Sequence, residues 1–358
     1  MQRYTINIIF LAAAVSLVAA AAAGLFDNYI LTVLMFMGIN IIFASSLNLV
    51  NGHMGEFSCG HAGFMCVGAY VGSLLSVVFF TSNKFFGDPL FPPEAAPFLF
   101  PLVLILASLA AALFGLIVAL PSFHTRDDYL AIITIAANYI IISIVENIDA
   151  IGGPRGFSGM KRTMNVMGDV IHLPWMLIWV LIGCFVCITV LYRLVTSTYG
   201  KGIPAVCQNE VAAEIMGVNT NKVKIMAFMV SSGLAGMAGV LYAHVYGYVN
   251  AQAFNILKST EGLVMVYLGG MGSISGVILA AVAFTLLVEA LRFVIPAAND
   301  LLHIWGILPA SSELSQIWKW VIIPLILILL MQLRPEGLLG NKELTHVFPR
   351  LRRWVSFK

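Results

Sequence analysis

A succession of apolar runs constrains the fold of this chain more than any other feature. A helix that crosses the hydrocarbon core of a bilayer needs about 20 mostly apolar residues, each rising about 1.5 Å. Runs at or near that length occupy residues 6–25, 29–50, 61–80, 98–120, 129–148, 174–194, 223–245, 275–295 and 318–333, with a shorter one at 260–270. Backbone N–H and C=O groups find no water at that depth, so runs of this kind must be helical. The expected fold is all-α: a polytopic transmembrane helix bundle of nine or ten spans. The short run ends in Gly269-Gly270-Met271-Gly272 and cannot cross unaided, so broken or re-entrant glycine-rich segments are expected. The first run follows Arg3 and is rich in alanine. It is long enough to span, and reads as an uncleaved helix rather than a signal peptide.

Composition excludes the other broad classes. Of 358 residues, 60% are hydrophobic and 10% charged, whereas a soluble domain carries about 25% charged residues. Seventeen acids and nineteen bases cannot coat a globule of this size, but they can decorate the loops of a membrane protein. A net charge of +2 gives no basic face for nucleic acid. Cys184 and Cys187 have CxxC spacing but lie inside WMLIWVLIGCFVCITVLY with no second ligand pair, so zinc is rejected and no metal site is expected. No GxxxxGK[ST] phosphate cradle occurs, so ATP must be bound by another subunit if ATP drives this protein. Asp127-Asp128 lacks a second acidic motif and a basic cluster. The chain therefore reads as a non-catalytic subunit, with no catalytic residues and no cofactor of its own.

The lysine and arginine bias sets the orientation. With the N-terminus inside and the spans alternating, twelve of the nineteen basic residues fall inside, among them those of the terminal RLRR run. Both termini are expected on the cytoplasmic side. The chain reads as one membrane domain over residues 1–358, with a cytoplasmic loop at 197–224 and a basic cytoplasmic tail at 334–358.

Three segments are too polar and glycine-rich for inert spans. The first runs from Ser46 to Tyr70 and contains Asn48, Asn51, His53, Glu56, Ser58, Gly60, His61, Gly63 and Gly68. Polar groups so close to apolar runs either line a pathway or form a short turn followed by a small-residue packing face. His61 taken singly fits a packed, hydrogen-bonded histidine. The second runs from Glu146 to Gly159 around Gly152 and Gly153. Its backbone amides can face a carboxylate with Arg155 adding charge, or it is an ordinary turn. The third holds Gly269, Gly270 and Gly272. Interrupted segments in matching positions of two halves point to a binding region, although the first and third segments do not align. Candidate pathway residues are Asn48, Asn51, Ser58, Gly60, His61, Gly63, Gly152, Gly153, Gly269, Gly270 and Gly272.

Residues 197–224 differ in kind. Ile203, Val206, Val211, Ile215 and Met216 make an apolar stripe on a predicted helix over 203–217, which Gly217 stops. Its polar face is acidic rather than lysine-rich, which favours docking into a partner's groove over lying on lipid.

The order of motifs carries a resemblance. Glu210-Val-Ala212-Ala213-Glu214-Ile-Met-Gly217-Val-Asn219, continued by Lys224 to Gly239, resembles the EAA-type coupling loop and next helix of branched-chain amino acid ABC permeases of the M type in the Liv (leucine, isoleucine, valine) systems. SLNLVNGHMGEFSCGHAGFMCVGAY, Asp128 to Thr134, GGPRGFSGM, GGMGSISG and Arg334-Pro335-Glu336-Gly337-Leu-Leu-Gly340 extend it over most of the chain beyond the first helix. Glu56 and His53 depart from the pattern and bear on substrate identity. The resemblance implies a permease subunit of a binding-protein-dependent importer in the bacterial inner membrane. It also implies a homologous second permease, two cytoplasmic ATPases that hold ATP and Mg, and a periplasmic binding protein. Glu210, Ala212, Ala213 and Gly217 would then belong to the ATPase-docking loop. Alternatives are a related importer for urea or short amides, and a stand-alone channel or ion-coupled transporter.

Overall fold

The computed structural model describes residues 5–81, 87–123, 129–170, 173–304, 315–333 and 337–338. The rest of the tail at 334–358, and Asp127-Asp128, lie outside the described residues. The chain is an all-α, multi-pass membrane protein. Its helices are α1 (Thr5–Ala22), α2 (Asn28–Asn48), α3 (His61–Phe80), α4 (Ala96–Ser122), α5 (Tyr129–Glu146), α6 (Met160–Val170), α7 (Trp175–Thr196), α8 (Gly202–Gln208), α9 (Glu210–Ile215), α10 (Thr220–Tyr246), α11 (Ile256–Gly269), α12 (Ile274–Ile304) and α13 (Lys319–Leu333). Side-chain caps mark several of the starts. Asp27 accepts from the Asn28 amide, and Asn219 and Asn255 cap α10 and α11 in the same manner. The only strands among the described residues are β1 (Phe157–Ser158) and β2 (Tyr248–Val249), paired antiparallel with Phe157 opposite Val249.

Each of the ten apolar runs is a helix. Among the described residues, six are long and apolar enough to cross a bilayer, and a seventh is counted if the pair 130–146 and 149–155, bent by 85°, is one broken span. This falls below the nine or ten expected. Helix α11 has 14 residues, because the glycines that follow it end the run. The described part of α1 and the 15-residue α13 are also short.

Helices α3 and α10 form the centre, each with 72% of its apolar window buried. They run parallel, and glycine lets them touch. A Cβ on Gly68 would collide with the Gly236 backbone, and one on Gly239 with the Met65 carbonyl. Small residues at a helix interface allow such backbone approach. Helix α4 closes over both through Ala107 and Ala111, while Ile105, Leu109, Leu113 and Ile117 form its exposed apolar stripe.

Two elements differ from the sequence reading. The single helix expected over 203–217 is two, because Asn209 is extended (φ −162°, ψ 107°) and caps α9. Helix α8 turns Ile203 and Val206 into the bundle, whereas α9 leaves Val211, Ile215 and Met216 exposed. One stripe became two faces. Helix α6 falls outside the ten apolar runs and was not expected from the sequence. Its Met160, Thr163 and Met167 are buried, while polar residues cover the other side.

Candidate functional site

The first and third glycine segments meet. Helix α2 ends at Asn48 and passes through a π-helical turn (Leu49–His53). The Asn48 Oδ1 accepts from the Gly272 amide at 3.1 Å, and its Nδ2 donates to the Ser273 carbonyl at 3.4 Å. A Cβ on Gly52 would strike Gly272. Gly269 lies on Gly276 in the same turn, which joins α11 to α12. Leu338, in the final motif, returns to this place and donates its amide to the Leu268 carbonyl at 2.8 Å.

A second group lies where the chain after Glu56 re-enters the bundle. The Ser58 amide donates to Asn51 Oδ1 at 3.4 Å, and the Cys59 amide to Thr134 Oγ1 at 3.3 Å. Gly60 rests on the Thr134 backbone and Gly63 on Asn138, so α5 lies against the start of α3. His61 is 1% exposed, between Phe43 and Phe64. Ser46 Oγ already donates to the Phe43 carbonyl at 2.7 Å. His61 Nε2, 2.9 Å from that oxygen, must therefore donate to it, which leaves Nδ1 bare. Asn51 Nδ2, Ser58 Oγ, His61 Nδ1 and both polar atoms of Asn138 have no hydrogen-bond partner among the described residues. Buried polar groups are ordinarily satisfied, so five such atoms around α2, α3 and α5 mark this region as unlike ordinary core. Asn138 was not picked out from the sequence. Its only signal was a polar side chain one turn beyond Thr134 in an apolar run.

Gly152 and Gly153 lie apart from both groups, in the turn after α5. The amides expected to face a carboxylate are spent. Gly152 donates to the Asp149 carbonyl at 3.0 Å and Gly153 to that of Ile148 at 3.2 Å. Gly270 likewise donates to Val266 at 3.0 Å, and the Gly272 amide is taken by Asn48. The left-handed φ of Gly152 (91°) and Gly153 (51°) serves the turn itself. Beside it, Glu146 accepts a hydrogen bond from Gln252 Nε2, and the Tyr248 hydroxyl donates to the Arg155 carbonyl at 2.6 Å.

Residues 197–224 are tied to the first segment by Lys224, to which the sequence reading gave no site role. Its Nζ lies 2.8 Å from Glu56 Oε1 and 2.9 Å from Glu210 Oε2, with its side chain 11% exposed. Cys207 of α8 packs against Gly55, which turns the chain with φ 76°. Of the four expected docking residues, Glu210, Ala212 and Gly217 are exposed and Ala213 is buried. Cys184 and Cys187 pack on α2, with Cys184 Sγ 3.2 Å from the Gly38 carbonyl.

Residues 29–331 match the family described as the permease component of branched-chain amino acid transport systems. The chain is 30% identical over 278 residues to a high-affinity branched-chain amino acid transport system permease protein, LivM, of Salmonella typhimurium, covering 71% of this chain and 61% of that one. The corresponding protein of Escherichia coli is 31% identical over 282 residues, with the same coverage. A protein of Methanocaldococcus jannaschii described as a probable branched-chain amino acid transport permease, LivM, is 26% identical over 332 residues, covering 87% of this chain and 93% of that one. The chain thus spans about three fifths of the length of the two bacterial relatives. No solved structure matches.

Proposed function

We propose, for a chain that belongs to the family of branched-chain amino acid transport permeases, that it is one membrane half of an ATP-driven importer for these amino acids. A homologous second permease completes the pathway. Two ATPases that hold ATP and Mg dock on the α8–α9 face, and a binding protein delivers substrate to the opposite face. The assembly sits in the bacterial inner membrane with both termini of this chain in the cytoplasm. Helix α11 is a re-entrant half-helix, and the pathway passes Asn48, Asn51, Ser58, Gly60, His61 and Gly63 towards the Gly269–Gly272 turn.

One observation carries the mechanical part of this reading. Lys224 bridges the exposed α9, through Glu210, to Glu56 in the loop that leads into the polar interior. Movement of α9 by a partner is therefore delivered to that loop through two charge-assisted contacts, which are stronger than neutral ones. The apolar residues of α9 supply what such a partner would grip, since Ile215 and Met216 are 80% and 83% exposed. Large apolar exposure at one end of a helix marks an interaction site.

The test is Met216→Glu, placed on an exposed side chain so that folding is spared. The variant should reach the membrane at the normal level, lose co-purification with the ATPases, and lose substrate-stimulated ATP hydrolysis. Undiminished stimulation in Met216→Glu would refute docking at α9.

A further inference from the structure

The turn that holds Gly152 and Gly153 carries two carboxylates, Glu146 and the exposed Asp149, and one guanidinium, Arg155, and the described ion pairs join none of them. Glu146 is the last residue of α5, at the bend of the broken span. Helix α5 runs alongside α3, with Gly60 on Thr134 and Gly63 on Asn138. Carried forward in that register, Glu146 is level with the middle of α3, about 14 Å short of the end of α3 at Phe80, at about 1.5 Å per residue. It is close enough to Cys66 and Tyr70 to act on both electrostatically. A carboxylate at that depth is costly without a counter-charge. The described ion pairs leave it none: Lys224 serves Glu56 and Glu210, Lys258 serves Glu261, and Arg292 serves Glu289. Its described side-chain hydrogen bond is from the neutral amide of Gln252. The carbonyl end of α5 adds further negative potential, and half-helix ends of this kind hold cations in other transporters.

Arg155 supplies the opposite sign. It is exposed and, among the described residues, has no ion pair. Its backbone is fixed, because its amide donates to the Gly152 carbonyl at 3.1 Å and its carbonyl accepts from Tyr248. The amides of Gly152, Gly153 and Gly156 are already bonded within the turn, and the Arg155 guanidinium is the cationic donor the segment offers a carboxylate. Ile148 and Tyr248, 41% and 44% exposed, give the same segments apolar surface.

We propose that Glu146 and Arg155 form a subsite for a zwitterionic amino acid. Glu146 receives the ammonium, Arg155 receives the carboxylate, and Gln252 orients the Glu146 carboxylate. This rests on the permease reading above and adds, at the turn after α5 and apart from the two polar groups already described, a point where the substrate's backbone groups are gripped independently of its side chain.

The experiment uses the complete assembly in proteoliposomes, with its ATPases and binding protein, and radiolabelled leucine. Glu146→Gln keeps the shape and a hydrogen bond to Gln252 but removes the charge, so it should lower ATP-driven leucine uptake about tenfold, the effect of losing one charge-assisted contact. Glu146→Asp should retain most of the uptake. Arg155→Gln should fall like Glu146→Gln, with Arg155→Lys partly restoring it. Co-purification with the ATPases should be unchanged throughout, since transport and not assembly is lost. Wild-type uptake by Glu146→Gln would overturn the subsite. Equal loss in Glu146→Gln and Glu146→Asp would assign Glu146 to packing and overturn it as well. A wild-type assembly that takes up no leucine would instead refute the permease reading, whatever the variants do.

Discussion

Replacing Lys224 by methionine should release the α8–α9 segment from the loop that carries Glu56. Methionine keeps an apolar stem to pack near Phe123, whose ring centroid lies 5.9 Å from the lysine nitrogen, and removes only the charge. The side chains of Lys224, Glu56 and Glu210 are 11%, 23% and 45% exposed. An exposed ion pair contributes about 0.2–1 kcal/mol, while breaking a fully buried one costs about 3–5 kcal/mol. The Glu56 contact lies between these limits and is worth about 2 kcal/mol; the Glu210 contact is nearer the exposed limit, at about 0.5 kcal/mol. Of the two contacts only that to Glu210 holds residues 202–217, so Lys224→Met should favour their release by about 0.5 kcal/mol, roughly twofold, and should loosen the Glu56 loop by about 2 kcal/mol, roughly 30-fold at 1.4 kcal/mol per decade. Glu210→Gln alone should release residues 202–217 about twofold. Hydrogen exchange followed by mass spectrometry reads this directly. Amides of residues 54–60 should exchange about 30-fold faster and those of 202–217 about twofold faster, while the centre of α3 and α10 is unchanged, because local opening is measured segment by segment. Transport per ATP hydrolysed should fall in parallel. Unchanged exchange over 54–60 in Lys224→Met would refute the clamp.

Two other predictions follow from packing and from thiol chemistry. Gly68→Ala places a methyl into the Gly236 backbone, which cannot yield as a side chain would, and should cost about 1–3 kcal/mol or more by thermal or denaturant unfolding in detergent; Gly168→Ala, with nothing within 4 Å in α6, should be neutral or stabilising by up to about 1 kcal/mol. Equal effects would contradict the close contact of α3 with α10. Cys207 is the exposed cysteine among five, and maleimide should label it ahead of the other four. Partial burial and then the nearby Glu56 carboxylate push its thiol pKa up. The thiolate is the reactive form, so at a given pH Cys207 should alkylate more slowly than a free cysteine peptide, and its rate should keep rising beyond the ordinary thiol range. A rate equal to that of the peptide would contradict this environment.

Much of the architecture was legible along the chain because the bilayer enforces it locally. A run such as 61–80 must be helical once it is dehydrated, whatever packs beside it, and all ten runs are helices. The glycine at 68 was likewise readable as a close-packing position, since a missing side chain has few other uses in a span. The single helix over 203–217 was misread because a period of 3.6 cannot register one extended residue. Asn209 breaks the helix and caps its continuation, so Ile203 and Ile215 face opposite surroundings. The amides of Gly152 and Gly153 were misjudged for a related reason. Sequence showed that the backbone there was free to turn, but not that the turn would consume its own donors.

What the sequence determined alone was the solvent: with 10% charged residues the chain had to place its surface in lipid. What only the tertiary structure decided was which distant polar groups meet. Asn48 reaches Gly272, Lys224 gathers Glu56 and Glu210, Asn138 lies on Gly63, and Glu146 finds Gln252 and, among the described residues, no cation. Helical periodicity is a short-range property of one segment, whereas these pairings depend on the depth at which each helix starts and on the neighbour its small residues admit.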